Sequence, residues 1–471
     1  MTETIRLPAV KRIEGHGRVS LFVGDSGSVV GAHFEITEFR GFEKMLLGRM
    51  VWETPLITSR ICGVCPVSHH LAAVKAVDAM YRVEIPRAAR LLREAVHLGG
   101  LSQDHALHFF FLAGPDFLTG DGSGSRDILG VISARPDLAL KAIGLRKTGQ
   151  HIVRTIGGRA SHPVTAIPGG MSKGITVEQR DEMLAMVREG MDDALFAAEI
   201  AHESTERLLA ENPAYASDPV HMMSLLGEGD AFELYDGTVS VMTPEGRMTE
   251  RFDPEFYADH VSERALPYSY AKSTYLSMKG PENGTYRVGP LARINMAESM
   301  PGPHSTELLT AFRSQLARPA HAVLAYHWAR MIELVAAYER LEQLLSDDEI
   351  TSDVVRVKVE RGKGVGMSAI EAPRGTLIHH YEADDVGHVT KANLIVATTH
   401  NTASLDDAVF QAVKGVSRDE ALDDLTVRKM ELGIRAHDPC LSCATHEIGR
   451  MPLAVDLIGP DGTILASRGS V

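Results

Sequence analysis

All four cysteines of this chain stand in two Cys-x-x-Cys pairs, and the pairs lie at opposite ends of the polypeptide. Cys62 and Cys65 sit in Arg60-Ile61-Cys62-Gly63-Val64-Cys65-Pro66; Cys440 and Cys443 sit in Asp438-Pro439-Cys440-Leu441-Ser442-Cys443-Ala444-Thr445-His446. A Cys-x-x-Cys turn places two sulfurs on one side of a tight bend, ready to hold a single ion. Structural zinc pairs usually lie about 15–20 residues apart. Bringing these pairs together closes a loop of about 380 residues, at roughly 2–3 kcal/mol more than the short version. Four thiolates that meet across such a distance point to one soft-metal centre joining two halves of a fold. A structural zinc staple remains the simplest competitor. A dithiol redox pair is disfavoured, since neither pair sits in an evident βαβ context.

Composition narrows the setting. The net charge of −14 and the lack of any long Lys/Arg run argue against nucleic acid as a partner. Met1–Arg6 is polar, with no basic segment leading into an apolar one, and no stretch of about 18 apolar residues offers a membrane span. Thiols kept reduced for a metal fit a cytoplasmic protein.

Helical periodicity dominates the pattern. Gly17–Phe39 alternates as a hairpin turning at Gly24-Asp25-Ser26-Gly27. Helices are expected over Ser68–Tyr81, over Pro86–Leu112 with Pro86 in the first turn, and over Val177–Glu211, Ser305–Ser346, Thr402–Val413 and Ser417–Ile434. Ser217–Tyr275 reads as mixed strands and loops; Val354–Glu360, Thr376–Tyr381 and His388–Ala397 read as strands of a small sheet. The predicted class is α+β and mainly helical: long core helices in a bundle with small peripheral sheets. No linker cuts the chain, so 1–446 reads as one unit built around both thiol pairs.

The residues flanking the cysteines carry a resemblance. The segments around Cys62–Cys65 and Cys440–His446 are similar to the two signature motifs of the large, catalytic subunit of nickel–iron hydrogenases. Arg12-Ile13-Glu14-Gly15-His16, Phe39-Arg40-Gly41-Phe42-Glu43 and Glu371-Ala372-Pro373-Arg374-Gly375 resemble three further motifs of that family, in the same order. The wording of Phe39–Lys44, Glu371–Tyr381 and Cys440–His446 is most similar to the cytoplasmic, bidirectional NAD-reducing type.

That resemblance implies a Ni–Fe centre whose iron carries CN and CO. Cys62 and Cys440 would be terminal nickel ligands, and Cys65 and Cys443 bridges to iron. Thiolates suit a nickel that changes oxidation state. Glu14 matches the carboxylate that takes a proton from the Cys440 thiolate; read without the family, it would be a surface carboxylate after a strand. Arg374 matches the arginine held over the open metal position, with Asp104 and Asp438 as the carboxylates that hold it. Taken alone, Asp104 would be a solvated helix residue, and His105 and His108 beside it read as core or supporting groups. Glu43, the carbonyl of Leu394 and His446 match a second, hard-cation site for Mg2+. Thr398 matches a donor to an iron cyanide; beside it stands Ala397, where many relatives have proline. His69 would orient a bridging sulfur.

The same resemblance implies H2 as substrate and an iron–sulfur small subunit, because no cysteine is left over for a cluster. It also implies flavin-containing, NAD-reactive diaphorase subunits, since no Gly-x-Gly-x-x-Gly fingerprint opens a βαβ unit here. Glu447–Val471 resembles the C-terminal extension that a maturation endopeptidase removes, with strands at Leu453–Ile458 and Thr463–Ala466 about the turn Gly459-Pro460-Asp461-Gly462; the alternative is a permanent edge hairpin. A hydrogen-sensing regulatory subunit would keep the same ligands, but such relatives typically lack a cleavable tail.

Overall fold

The computed structural model describes residues 3–7, 12–37, 41–119, 127–216, 218–360, 362–441, 454–458 and 464–469. Its centre is the Tyr326–Ser346 helix, buried around nearly its whole circumference from Tyr326 to Leu345. A helix buried on nearly every side has to be enclosed by other elements. The long Val177–Glu211 helix and the Arg87–Ala106 helix pack along it, and Pro136–Gly157 packs on both of these. Val177–Glu211 begins at a capping box in which Thr176 and Gln179 satisfy each other's backbone N–H groups. Among the described residues, no helix is long and apolar enough to cross a membrane.

Small sheets surround this bundle. The largest is antiparallel, in the order Ile464–Gly469, Ala454–Ile458, Glu3–Leu7, Gly17–Val23, Val29–Ile36. Its last two strands are the expected hairpin, with Gly27 left-handed at φ 78° in the turn. The two C-terminal strands lie where alternation placed them, while the turn between them falls outside the described residues. A second sheet runs Gly364–Ala372, Gly375–Ala383, Val389–Ile395, and a third, built around His221–Leu226, occupies the predicted mixed segment.

Four expectations need correction. Ser305–Ser346 is two helices, Pro303–Gln315 and Tyr326–Ser346. Pro319 has no N–H to donate and pushes the residue before it out of helical geometry, so one helix cannot run through it. Val354–Glu360 is extended but forms no ladder; it makes a single bridge, Arg356 to Gly170, and Val354 is 65% exposed. The strand lies further on, at Gly364–Ala372, where Gly366 presses so close to the Pro66–Met80 helix that a Cβ would sit 2.0 Å from the Ala76 carbonyl oxygen. The last helix is Asp424–His437, rather than Ser417–Ile434. Pro86 caps the Arg87–Ala106 helix instead of lying in its first turn, and that helix continues as a π-turn over Leu107–Ala113.

Close helix contact in the bundle depends on the missing side chains of Gly99 and Gly149. At Gly149 an added Cβ would lie 2.5 Å from the Gly99 carbonyl oxygen, whereas at Gly144, on the same helix, the nearest atom is 3.6 Å away. Gly149→Ala should therefore destabilise the protein by about 1–3 kcal/mol, while Gly144→Ala, free to raise helix propensity, should be neutral or stabilise by up to about 1 kcal/mol. Urea-unfolding midpoints of the two variants should move in opposite directions, or Gly144→Ala should stay put; a common downward shift would contradict the packing account.

Candidate metal centre

The Pro66–Met80 helix begins immediately after Cys65, and the turn before it folds back on itself. The backbone N–H groups of Val64 and Cys65 point at the Cys62 sulfur, at 3.3 and 3.2 Å. At the other end of the chain the Asp424–His437 helix stops at Asp438, which adopts a left-handed conformation (φ 55°, ψ 56°) and redirects the chain inward. Such geometry is costly for a residue with a side chain and persists where its surroundings impose it. Cys440 is then held from two sides: its N–H donates to the Thr398 hydroxyl at 3.0 Å, and Glu14 pairs with it as a parallel bridge, with the Leu441 N–H on the Glu14 carbonyl at 2.7 Å.

The sulfurs of Cys62, Cys65 and Cys440 all lie within 4.8 Å of one another. Cys440 Sγ is 3.1 Å from Cys62 Sγ and 3.9 Å from Cys65 Sγ, separations too long for a disulfide, whose bond is about 2.05 Å. Cys440 Sγ also lies 3.1 Å from the Glu14 carboxylate. Glu14 is only partly buried, so this carboxylate stands between the sulfurs and the exterior. Its backbone is fixed by the preceding arginine: Arg12 donates to the Leu112 carbonyl at 2.6 Å and pairs with Asp116, which also holds Arg435 at 2.7 Å.

Arg374 sits in the turn of the hairpin that pairs Ala372 with Gly375. Its guanidinium forks onto Asp104 at 2.8 and 3.0 Å and reaches Asp438 at 3.0 Å. Burial opposes the charge, but Asp104, then Asp438, then the Cys440 and Cys65 sulfurs outweigh it and raise the arginine well above its ordinary value. Burial pushes the Asp438 carboxyl up, against the pull of Arg374 and Arg330. The Nε of Arg374 is buried without a hydrogen-bond partner, so one donor of this cation stays uncommitted beside the sulfurs.

A small cleft lies beside Cys65 and Cys440, walled by His69, Arg374, Leu377, Ala397 and Thr398. His69 follows Cys65 by one helical turn and contacts His379 at 3.2 Å, which in turn meets the Tyr381 hydroxyl at 2.7 Å. Thr398 spends an oxygen lone pair on the Cys440 N–H, leaving its own proton to donate. The donors fit a soft metal: sulfur in quantity, a cleft for a neighbouring group, and a fixed cation across it. Glu43 lies on the short Phe42–Leu46 helix, packed on the strand that carries Leu394. Cys443 and His446, expected at the two metal sites, fall outside the described residues.

His105 and His108 are core groups, bonded to Glu333 at 3.0 Å and to the Arg435 carbonyl at 2.7 Å. Sequence reasoning missed Arg330 and Glu333. Their signal was available: two opposite charges three residues apart inside the mainly apolar stretch from Trp328 to Tyr338.

Comparison with known proteins agrees with this geometry. Residues 40–121 and 220–446 match the family model described as nickel-dependent hydrogenase, and residues 4–39 match one described as HoxL-like. The chain is 41% identical over 457 residues to a vhc-type F420-non-reducing hydrogenase subunit from Methanococcus voltae, covering 95% of this chain and 96% of the relative. It is 35% identical over 490 residues to NAD-reducing hydrogenase HoxS subunit beta of Cupriavidus necator, covering 99% and 100%. A crystal structure of an NAD+-reducing [NiFe]-hydrogenase in the H2-reduced state superposes with a TM-score of 0.89 at 37% identity, over 94% of this chain and 99% of that one. With its helical bundle, its peripheral sheets and its converging cysteines, the chain belongs to the nickel-dependent hydrogenase large-subunit family.

Proposed function

We propose that this chain is the catalytic subunit of a soluble, cytoplasmic nickel–iron hydrogenase in which Cys62, Cys65, Cys440 and Cys443 hold the metal pair. As a family member it is an oxidoreductase acting on H2. The observation that carries the residue assignment is the meeting of three sulfurs from the two ends of the chain, with a carboxylate 3.1 Å from one of them. When bound, nickel and iron, the latter with CN and CO ligands, supply the redox-active centre at which H2 yields two protons and two electrons.

The chain's own residues then have distinct tasks. Cys440 Sγ is the atom on which a proton rests, and Glu14 is the base within hydrogen-bond reach to take it outward. Arg374, kept cationic by Asp104 and Asp438, presents a fixed positive charge at the cleft. Thr398 positions Cys440 through its backbone and offers its proton to the cleft, where it can receive a cyanide nitrogen; Ala397 and His69 complete the wall. Glu43, the Leu394 carbonyl and His446 are the residues that would hold Mg2+, oxygen donors from the first two suiting a hard cation.

Electrons leave through an iron–sulfur small subunit, since the four cysteines are committed. Likeness to a NAD-reducing relative supports flavin-containing diaphorase subunits and NAD(P) as acceptor; the similarity to F420-non-reducing hydrogenases supports the same class of metal centre without naming an acceptor. Residues 1–446 form the working unit, and 447–471 are removed by a maturation endopeptidase after the metals are in place.

Metal analysis of matured protein should find nickel and iron in roughly equal amounts, with infrared bands from iron-bound cyanide and carbon monoxide; zinc alone would end this reading. Glu14→Gln should slow hydrogen–deuterium exchange by at least about 100-fold with metal content unchanged, as expected on losing a positioned base; undiminished exchange removes the relay role. Arg374→Lys keeps the charge but loses the fork on Asp104, which should cost about 2 kcal/mol, or roughly thirtyfold in kcat per nickel. A wild-type kcat in that variant would show that the geometry of the fork is irrelevant to turnover.

A further inference from the structure

Arg330 is a fully buried cation whose counter-charge is not where its own helix offers one. Glu333, one turn along, would be the ordinary partner. Both of its oxygens are already taken: Arg293 binds them at 2.5 and 2.6 Å, and His105 adds a contact at 3.0 Å. Arg330 makes one hydrogen bond, from Nη2 to the Ala436 carbonyl at 3.2 Å, and its Nε and Nη1 are buried with no hydrogen-bond partner. Asp438 lies two residues past the carbonyl that Arg330 holds, and the two side chains make no direct ion pair. The Asp438 Oδ1 accepts from Arg374, while Oδ2 is buried with no partner of its own. Burial pushes the Arg330 guanidinium below its ordinary value; of the charges around it, Asp438 offsets this most, Arg374 adds to it, and Glu333 offsets it less. The neighbouring imidazoles of His108 and His327 are held neutral by burial first, with Arg330 itself adding to the effect, so they bring no competing positive charge.

We propose that Arg330 is a positioning residue for hydrogen turnover: its hydrogen bond to the Ala436 carbonyl holds the turn that presents Asp438, its charge lies near that carboxylate, and through Asp438 it fixes where the Arg374 guanidinium sits. The Asp438 carboxylate is hydrogen-bonded to Arg374, and the nearby charge of Arg330 adds to its hold, because a buried anion turned away from its cations would be stranded from water. The hydrogen bond to Ala436 falls two residues before Asp438, where the chain turns left-handed, so the same side chain steadies the backbone and the carboxylate. Arg330 does not line the cleft beside the sulfurs; it acts one group removed. This inference rests on the reading of Arg374 and Asp438 as working groups of the site.

The test is a mutant cycle in the assembled, metal-loaded enzyme, with kcat, KM for H2 and nickel content measured for each variant. Arg330→Gln should lower kcat by about tenfold or more at unchanged nickel content and little-changed KM, and Arg330→Lys should return it to within about threefold of the parent. In an Asp438→Asn background, Arg330→Gln should change kcat by less than about twofold, because its route of action is gone. Additive effects, or equal losses in the Gln and Lys variants, would overturn the proposal. If the Gln variant does not load nickel, the Lys variant decides: full turnover, or a deficit that vanishes beside Asp438→Asn, supports the role, and an additive deficit overturns it. An Asp438→Asn enzyme with parental turnover removes the reading beneath this inference and the inference with it; a damaged Asp438→Asn beside a silent Arg330→Gln removes the inference alone.

Discussion

The fork of Arg374 on Asp104, completed by Asp438, is the interaction on which the architecture turns. It joins a hairpin tip, the last turn of a core helix and the end of the final described helix, three elements far apart in sequence. Ionised groups removed from water are tolerable only when each is paired and hydrogen-bonded. A small error in the placing of any of the three elements would leave a charge stranded, which is a steep penalty and therefore a strong means of specifying one arrangement. A second buried network does the same further in: Arg293 links Glu333 of the central helix to Glu371 of the hairpin, and Glu371 in turn accepts from the Leu225 N–H of the third sheet. The two networks sit on either side of the hairpin turn that carries Arg374. Together they set the hairpin tip from both flanks.

The sulfurs are placed by other means. Cys62 is positioned by its own turn, whose N–H groups stabilise negative charge on sulfur, while Cys440 depends on Thr398 and on Glu14, residues from two other parts of the chain. One half of the site is therefore locally encoded and the other half is assembled. This division explains why a carboxylate can stand so near a cysteine sulfur: the backbone pairing that seats Cys440 brings the Glu14 side chain with it.

What could be read beforehand divides along the same line. Cysteine is rare and chemically single-minded, so its spacing announced the centre, and the flanking motifs brought Glu14, Arg374, Asp104 and Asp438 with it. The structure gathers all of these at one place. Val177–Glu211 was legible because its cap and its periodicity agree over the full length. Pro319 was overlooked because apolar periodicity resumes beyond it, and Val354–Glu360 resembled a strand because β-branched residues alternate there, although its pairing stops at one bridge to Gly170. Gly364–Ala372 was hidden for the opposite reason: its glycines lower strand propensity, yet only they permit the close approach to the Pro66–Met80 helix. Arg330 carried no motif, since its meaning lies in which partner is already occupied elsewhere.

The backbone bridge between Glu14 and Cys440 has a consequence for synthesis. The two residues are 426 positions apart, and the ribosome finishes the first long before it makes the second. At ordinary elongation rates of about 5–20 residues per second, the Glu14 segment waits on the order of 20 to 85 seconds for its partner to emerge. The Cys62 and Cys65 sulfurs likewise wait for the third sulfur that meets them in the finished fold, so the centre cannot close until the last tenth of the chain is made.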